Sequence, residues 1–362
     1  MSEGFSSRMS GGTAIPPFIY LWLTVPHSLL IDKFLNVPGI LLDVRSPAEF
    51  AQGHIPGAIS FPLFDDDERS QVGICYKQRG RNEAVELGFA IAGSKCAGFI
   101  VQAKKLAGDR SIRIHCWRGG MRSEAVAWVL EMAGMNVSLL VGGYKAFRNW
   151  AQSQFLLPKN AIILGGMTGT CKTDILVALA QQGAQVLDLE NLANHRGSSY
   201  GGIGLPPQPS NEHFENLIAM QWGKFQPEQP VWIEAESKRI GTCRIPEALF
   251  QQMEEARVIE ICRPRSERLA ALVQLYGAMD RADLIAATER IRKRLGGLRT
   301  QQAVALLQQG QILEASDIVL EYYDKTYTYD LQRRKILIQP VDVTGLLANT
   351  AAQVLLEQIE RL

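Results

Sequence analysis

Cys116 stands in the run IRIHCWRGGMRSEAVAWVL, where an apolar strand-like segment gives way to arginines and glycines and then to a helix-like segment. A turn of this kind aims successive backbone N–H groups at one point and sets that point at a helix N-terminus, where partial positive charge favours anions. Arg118 and Arg122 add full positive charge, Gly119 and Gly120 let the chain turn without a Cβ in the way, and Ser123 leads into the helix. A thiol placed there ionises more easily than a free one, and a thiolate facing a tetrahedral anion is a nucleophile with its substrate already positioned. The arrangement H-C-x5-R-S also serves cysteine-dependent phosphatases, so the loop alone leaves open phosphoryl transfer and the transfer of a sulfur or selenium group. A buried structural cysteine at a strand end is the alternative without chemistry.

A second run, AIILGGMTGTCKTDIL, has the order strand, glycine-rich loop, helix of a Walker A motif, opened by Gly166 and closed by Lys172 and Thr173. Such a loop, here Gly166, Thr168, Gly169, Thr170 and Cys171, wraps its N–H groups around a diphosphate. It puts Lys172 on the terminal oxygens and turns Thr173 toward a metal ion. One position departs from the motif. Cys171 takes the place of the last glycine, where a side chain crowds the approach of backbone to phosphate and strains the dihedral. ATP hydrolysis of the ordinary kind is therefore not expected, and Cys171 beside Lys172 is itself a candidate reactive thiol. Farther on, the apolar strand VWIEA leads to Glu234 and Glu236, from which a carboxylate could hold Mg2+, activate water, or simply close a solvated strand.

These residues need scaffolds to hold them. Between residues 28 and 155, short apolar runs (GILLDV, GAISF, SIRIHCW, VSLLVGG) alternate with helix-like stretches such as AVELGFAIAGSKCAGFIVQAKKL, the pattern of a sheet with helices packed on it. LLPKN then leads into a new α/β domain over 156–265, with strands at AIILGG, AQVLDL, PVWIEA and ARVIEIC. The pattern over 266–362 is helical, and residues 1–27 read as an N-terminal extension. Within that extension residues 14–24 are apolar, but they fall short of the ~20 residues a bilayer requires and contain Pro16 and Pro17.

At 362 residues the chain has room for two or three domains, and its 46% apolar and 21% charged residues exclude a disordered or collagen-like polymer. A net charge of +1 offers no general attraction to phosphate backbones or anionic membranes. Neither DNA nor a membrane is expected as a partner, and any RNA must be held by local patches. The six cysteines have neither C-x-x-C spacing nor the density of a secreted disulfide scaffold, which points to free thiols in a reducing cytoplasm and away from zinc.

Residues 41–62, LLDVRSPAEFAQGHIPGAISFP, resemble the opening signature of the rhodanese family, whose loop cysteine carries a sulfane sulfur. Within it Asp43 and Arg45 read as an internal ion pair supporting the loop, and His54 as a structural turn residue. With the second loop added, residues 30–330 resemble the tRNA 2-selenouridine synthase family. The further matching stretches are GICYKQRG (73–80), LENLANHRGSSYGGIG (189–204), QPSNEHFENL (208–217), IEAESKRIG (233–241), IRKRLGG (291–297) and YYDKTY (322–327).

That resemblance implies an α/β chain: a rhodanese-like domain, then a P-loop domain with a helical C-terminal subdomain. It implies exchange of sulfur for selenium in 2-thiouridine at the tRNA wobble position, with selenophosphate and geranyl diphosphate as co-substrates and no tightly bound cofactor. On this reading the Cys116 loop cradles selenophosphate while the thiolate takes selenium, the Lys172 loop holds geranyl diphosphate, and Cys75 in GICYKQRG is a candidate relay thiol. Phosphates of tRNA would fall to Arg290, Arg292, Lys293, Arg294 and Arg299, a stretch without an acid. Arg263, Arg265 and Arg268 form a second candidate cluster, and His195 with Arg196 a third. The rivals are a cysteine-dependent sulfurtransferase or phosphatase with an inert P-loop partner, and a non-enzymatic RNA-binding scaffold.

Overall fold

The computed structural model describes residues 27–333 and 336–360, so the expected extension lies outside the described residues apart from His27. The chain divides into two compact units, one running to Phe50 and resuming over Gly57–Phe147, the other comprising Ala51–Pro56 and Arg148–Leu362.

In the first unit, strands β1 (His27–Leu29), β2 (Ile40–Asp43), β3 (Ile59–Ser60), β4 (Ile112–His115) and β5 (Val137–Leu140) form a parallel sheet in the order β1-β5-β4-β2-β3. β2 is buried at every residue and β4 at all but Arg113, as interior strands of a sheet covered on both faces must be. The long apolar stretch before β4 is two helices, Arg81–Gly93 and Cys96–Ala107, bent by 61° at a short break. The bend lets Phe99, Ala103 and Ala107 of the second helix reach the same core as Leu42, Ile112 and Ile114. No single helix among the described residues is long and apolar enough to cross a membrane.

The second unit is built on β6 (Ala161–Gly165), β7 (Gln185–Leu187) and β8 (Val231–Glu234), then a small antiparallel hairpin of β9 (Arg239–Ile240) and β10 (Cys243–Arg244), then β11 (Arg257–Cys262) and β12 (Ile338–Asp342). Its large sheet is parallel, in the order β12-β11-β6-β8-β7, so the phosphate-loop strand β6 lies at the centre. Helices from Arg265 to Arg333 follow β11 and enclose a separate core of Leu284, Ala287, Leu295, Ala303, Leu307 and Val319.

One expectation is corrected here. The span 266–362 is not helical throughout, because Ile338–Asp342 returns to the sheet beside β11 and the helix Ala348–Glu360 packs on the helix Lys172–Gln181. An edge strand needs only one hydrogen-bonded ladder, so IQPVD tolerates Pro340 and shows no strand pattern in sequence.

Candidate active site

Both loops open from the C-terminal ends of parallel strands, where open α/β sheets leave a crevice for ligands. Cys116 follows β4 directly, and the helix Met121–Met132 begins after Gly120. The Cys116 sulfur receives hydrogen bonds from the Ser123 hydroxyl at 3.2 Å and the Gly120 N–H at 3.4 Å. Burial pushes this thiol up, but those two donors and the charge of Arg122 outweigh it, so it sits below the ordinary thiol value. Cys116 keeps 3% of its surface exposed. Arg122 is fixed by Glu49 at 2.7 Å, and Arg118 is exposed with no ion pair among the described residues.

Behind the loop, Asp43 and Arg45 form the expected pair, fully buried with Arg45 Nη2 2.6 Å from Asp43 Oδ2. The Arg45 guanidinium lies 3.7 Å from the Tyr144 ring centroid, and His115 Nε2 is 3.7 Å from Asp43. His54, read as a turn residue, stacks its ring on His213 with centroids 3.9 Å apart.

The two loop glycines have different reasons to be glycine. Gly119 has φ +64°, and a Cβ there would meet the Leu140 carbonyl oxygen at 2.5 Å and the N–H groups of Gly142 and Gly143 at 2.9 Å. Gly120 has extended backbone and open space where a Cβ would go, so its N–H matters rather than its lack of side chain. The Gly142-Gly143 pair was not singled out from sequence. It lets the chain after β5 press against the cysteine loop, where Tyr144 and Lys145 donate to the carbonyls of Cys116 and Trp117 at 2.8 and 2.9 Å. Cys75 is buried in the helix Asp66–Arg79, and no hydrogen bond ties it to the Cys116 loop among the described residues.

The phosphate loop runs from Gly166 to Cys171. A Cβ at Gly166 would meet Ile261 at 2.7 Å, and one at Gly169 would meet the Arg268 carbonyl at 2.6 Å, so both glycines are sterically required. Cys171 has φ +63° and ψ +38°, the left-handed conformation that a glycine takes without strain. Its thiol is pushed up by burial and the Asp174 carboxylate against the smaller pull of Arg263 and Lys172, which corrects the reading of it as an activated thiol. Thr170 is buried with its hydroxyl donated to the Met167 carbonyl at 2.8 Å, so that group braces the loop instead of facing a ligand. Lys172 donates to the Gly166 carbonyl at 2.7 Å, and Thr173 to Glu190 at 3.1 Å.

Glu190 belongs to a group of four carboxylates at the C-terminal ends of β7 and β8: Asp188, Glu190, Glu234 and Glu236. Glu190 N–H donates to Glu234 at 2.7 Å. Burial raises all four, and the neighbouring carboxylates add to this at Glu190, Glu234 and Glu236, lifting Glu236 to about 8. Sequence pointed only to the two on β8. The donor chemistry suits Mg2+ and one oxygen of Glu234 is buried without a partner, yet no three such side chains converge on an ion position among the described residues.

The basic clusters fare unevenly. Arg268 is buried and bidentate to Asp324, at 2.7 and 2.8 Å, while also donating to the Thr168 carbonyl. Arg265 pairs with Asp317 and Asp324, and Arg263 with Glu267, so all three arginines of this second cluster are ion-paired and Arg268 alone braces the phosphate loop. Arg290 is tied to the Ser199 carbonyl at 2.7 Å. Arg292 pairs with Glu289 and Arg299 with Glu321, exposed pairs of small net strength, while Lys293 and Arg294 are exposed without an ion pair among the described residues. Arg196 donates to the Ile203 carbonyl, and burial together with Arg290 and Arg196 pushes the His195 imidazole down.

A cysteine loop on one parallel sheet followed by a phosphate loop on another defines a rhodanese and P-loop fusion. Residues 29–149 match the rhodanese-like domain, and residues 159–342 match the tRNA 2-selenouridine synthase AAA domain. The chain is 35% identical over 342 residues to a tRNA 2-selenouridine synthase of Marinobacter nauticus, covering 84% of this chain and 91% of the relative. It is likewise 35% identical over 355 residues to one of Hydrogenovibrio crunogenus (87% and 95%), and 34% over 336 residues to one of Bordetella bronchiseptica (81% and 89%). The chain belongs to the tRNA 2-selenouridine synthase family.

Proposed function

We propose that this enzyme exchanges the sulfur of wobble 2-thiouridine in tRNA for selenium, with Cys116 as nucleophile toward selenophosphate and the Lys172 loop holding geranyl diphosphate. The observation that supports it most is the Cys116 sulfur, lowered by Ser123, Gly120 and Arg122 at the mouth of a parallel sheet. A thiolate so placed meets a tetrahedral anion head on.

Electron count directs the attack. Were the sulfur to bond selenium, the electron pair of the Se–P bond would leave on phosphorus and the product would be phosphite. Attack on phosphorus sends that pair to selenium, yielding S-phosphocysteine and hydroselenide with no change of oxidation state. Water then cleaves the S–P bond and returns thiol and phosphate. This departs from the expectation that the thiolate itself takes selenium. On the second loop, the thiouridine sulfur attacks C1 of the geranyl group and expels diphosphate. Hydroselenide then adds at C2 of the alkylated base and geranyl thiolate leaves.

The test is mass analysis of wobble nucleosides from tRNA incubated with the protein, selenophosphate and geranyl diphosphate, each omitted in turn. Cys116→Ser should lose selenium incorporation by about a thousandfold or more while still forming the S-geranyl nucleoside. Full selenium incorporation by that variant would overturn the assignment. Phosphorus NMR of the released anion separates the two attacks, with phosphate expected and phosphite excluding attack on phosphorus.

A further inference from the structure

We infer that a glycine-lined cleft between the loop 195–205 and the helix Arg281–Arg290 receives the unstacked wobble nucleoside of the RNA. The inference rests on the reading of tRNA as substrate and adds the place where the acceptor base is held.

The cleft has a volume of about 700 Å³ and is bordered by His195, Gly197, Gly202, Gly241, Asp283 and Arg290. That is room for a base with its ribose, far more than one phosphate needs. Gly197 and Gly241 are required by φ of +63° and +59° and by close walls: a Cβ at Gly197 would fall 2.5 Å from a Glu236 oxygen, and one at Gly241 would meet Gln208 and, at 2.8 Å, the His195 ring. The rest of the lining is the His195 ring, peptide planes, Ser198 and Ser199, and the apolar Ile203, Leu205 and Ala286, a mixed surface suited to a flat ring with polar edges. The downward push on His195 favours its neutral imidazole, and because Nδ1 is buried, Nε2 is the nitrogen that a base could meet.

Two features set this cleft apart from an ordinary surface dent. Through Gly197 it abuts Glu190 and Glu236, and Glu190 accepts from Thr173 of the phosphate loop, so a base in the cleft lies next to the groups that face a bound diphosphate. Arg290, whose guanidinium forms one wall through its bond to Ser199, begins the run that continues to the exposed Lys293 and Arg294. Flanking phosphates would follow that run while the base turns inward. Pulling one base out of its stack costs a few kcal/mol, and least in a single-stranded anticodon loop.

Gly202 offers a clean test, because its backbone is outside the left-handed region and a Cβ there meets only the His195 ring at 3.5 Å, an ordinary contact. Gly202→Leu therefore projects an isobutyl group into the cleft without straining the chain, and an unchanged thermal midpoint checks the fold. Fluorescence anisotropy of the full-length protein, without selenophosphate, would compare an anticodon stem-loop carrying 2-thiouridine with a blunt RNA duplex of equal length. The expected result is a loss of about tenfold or more for the stem-loop and little change for the duplex. In parallel, 4-thiouridine at the wobble position should photocross-link to the peptide 195–205 in the wild type.

Equal weakening of both RNAs, no weakening of either, or cross-links confined to other peptides would overturn the cleft assignment. So would loss of adenosine diphosphate binding with RNA binding intact, which would give the cleft to a nucleotide. Failure of the wild type to bind the stem-loop at all would instead bring down the tRNA reading itself. The role of Cys116 is scored separately by selenium incorporation.

Discussion

Cys116 and Cys171 each stand between a parallel strand and the first turn of a helix, and their thiols are displaced in opposite directions. The helix terminus is common to both, so it does not decide the matter. At Cys116 the sulfur is an acceptor for a hydroxyl and an amide and lies near a guanidinium. At Cys171 the neighbour is the carboxylate of Asp174, and Lys172 turns its ammonium to the Gly166 carbonyl. Strand, loop and helix are common to the two thiols; the groups that reach each sulfur set which of them ionises more easily.

The largest effect that would sharpen this contrast is Lys172→Ala. It should weaken diphosphate binding about a hundredfold, as calorimetry would show, and leave the ultraviolet titration of the Cys116 thiolate in place. A moved titration would mean that the two loops are not independent.

Glu236→Gln addresses the protons stored beside the second loop. The Glu236 carboxyl, raised to about 8, keeps a proton in the folded state that the unfolded chain loses above the ordinary glutamate range. Stability therefore falls as pH rises through the window between them. The amide should remove that slope, with little gain near pH 4 and about 4 kcal/mol by pH 8, read from urea midpoints.

Ser123→Ala deletes the hydroxyl that reaches Cys116. The thiolate titration should move upward by about one pH unit, lowering the thiolate fraction at neutral pH about tenfold, and no movement would mean that Arg122 and Gly120 suffice. Smallest is Cys171→Gly, which relieves the left-handed strain but adds freedom to the unfolded chain, for a net stabilisation of about 0.5 kcal/mol by thermal melting.

Both loops and both sheets could be read from sequence because each is local: a strand, a few residues of fixed type, a helix. What could not be read depends on partners far along the chain. Arg265 and Arg268 look like a basic patch until Asp317 and Asp324, some fifty residues later, neutralise them. The stretch 290–299 contains no acid, yet Glu289 and Glu321 reach two of its arginines. Asp188 and Glu190 joined the carboxylate cluster only through the pairing of β7 with β8. Gly142 and Gly143 were visible as residues, but their role depends on a close approach that only the fold reveals.

The place of β12 bears on how the polypeptide matures. A ribosome delivers β11 first and must then make the entire helical array before emitting the strand that covers its free edge. During that interval the unpaired N–H and C=O groups of β11 are open to mispairing with other chains. The half that carries the Lys172 loop is thus among the last parts of the molecule to become whole during translation, well after the Cys116-bearing half has all its strands.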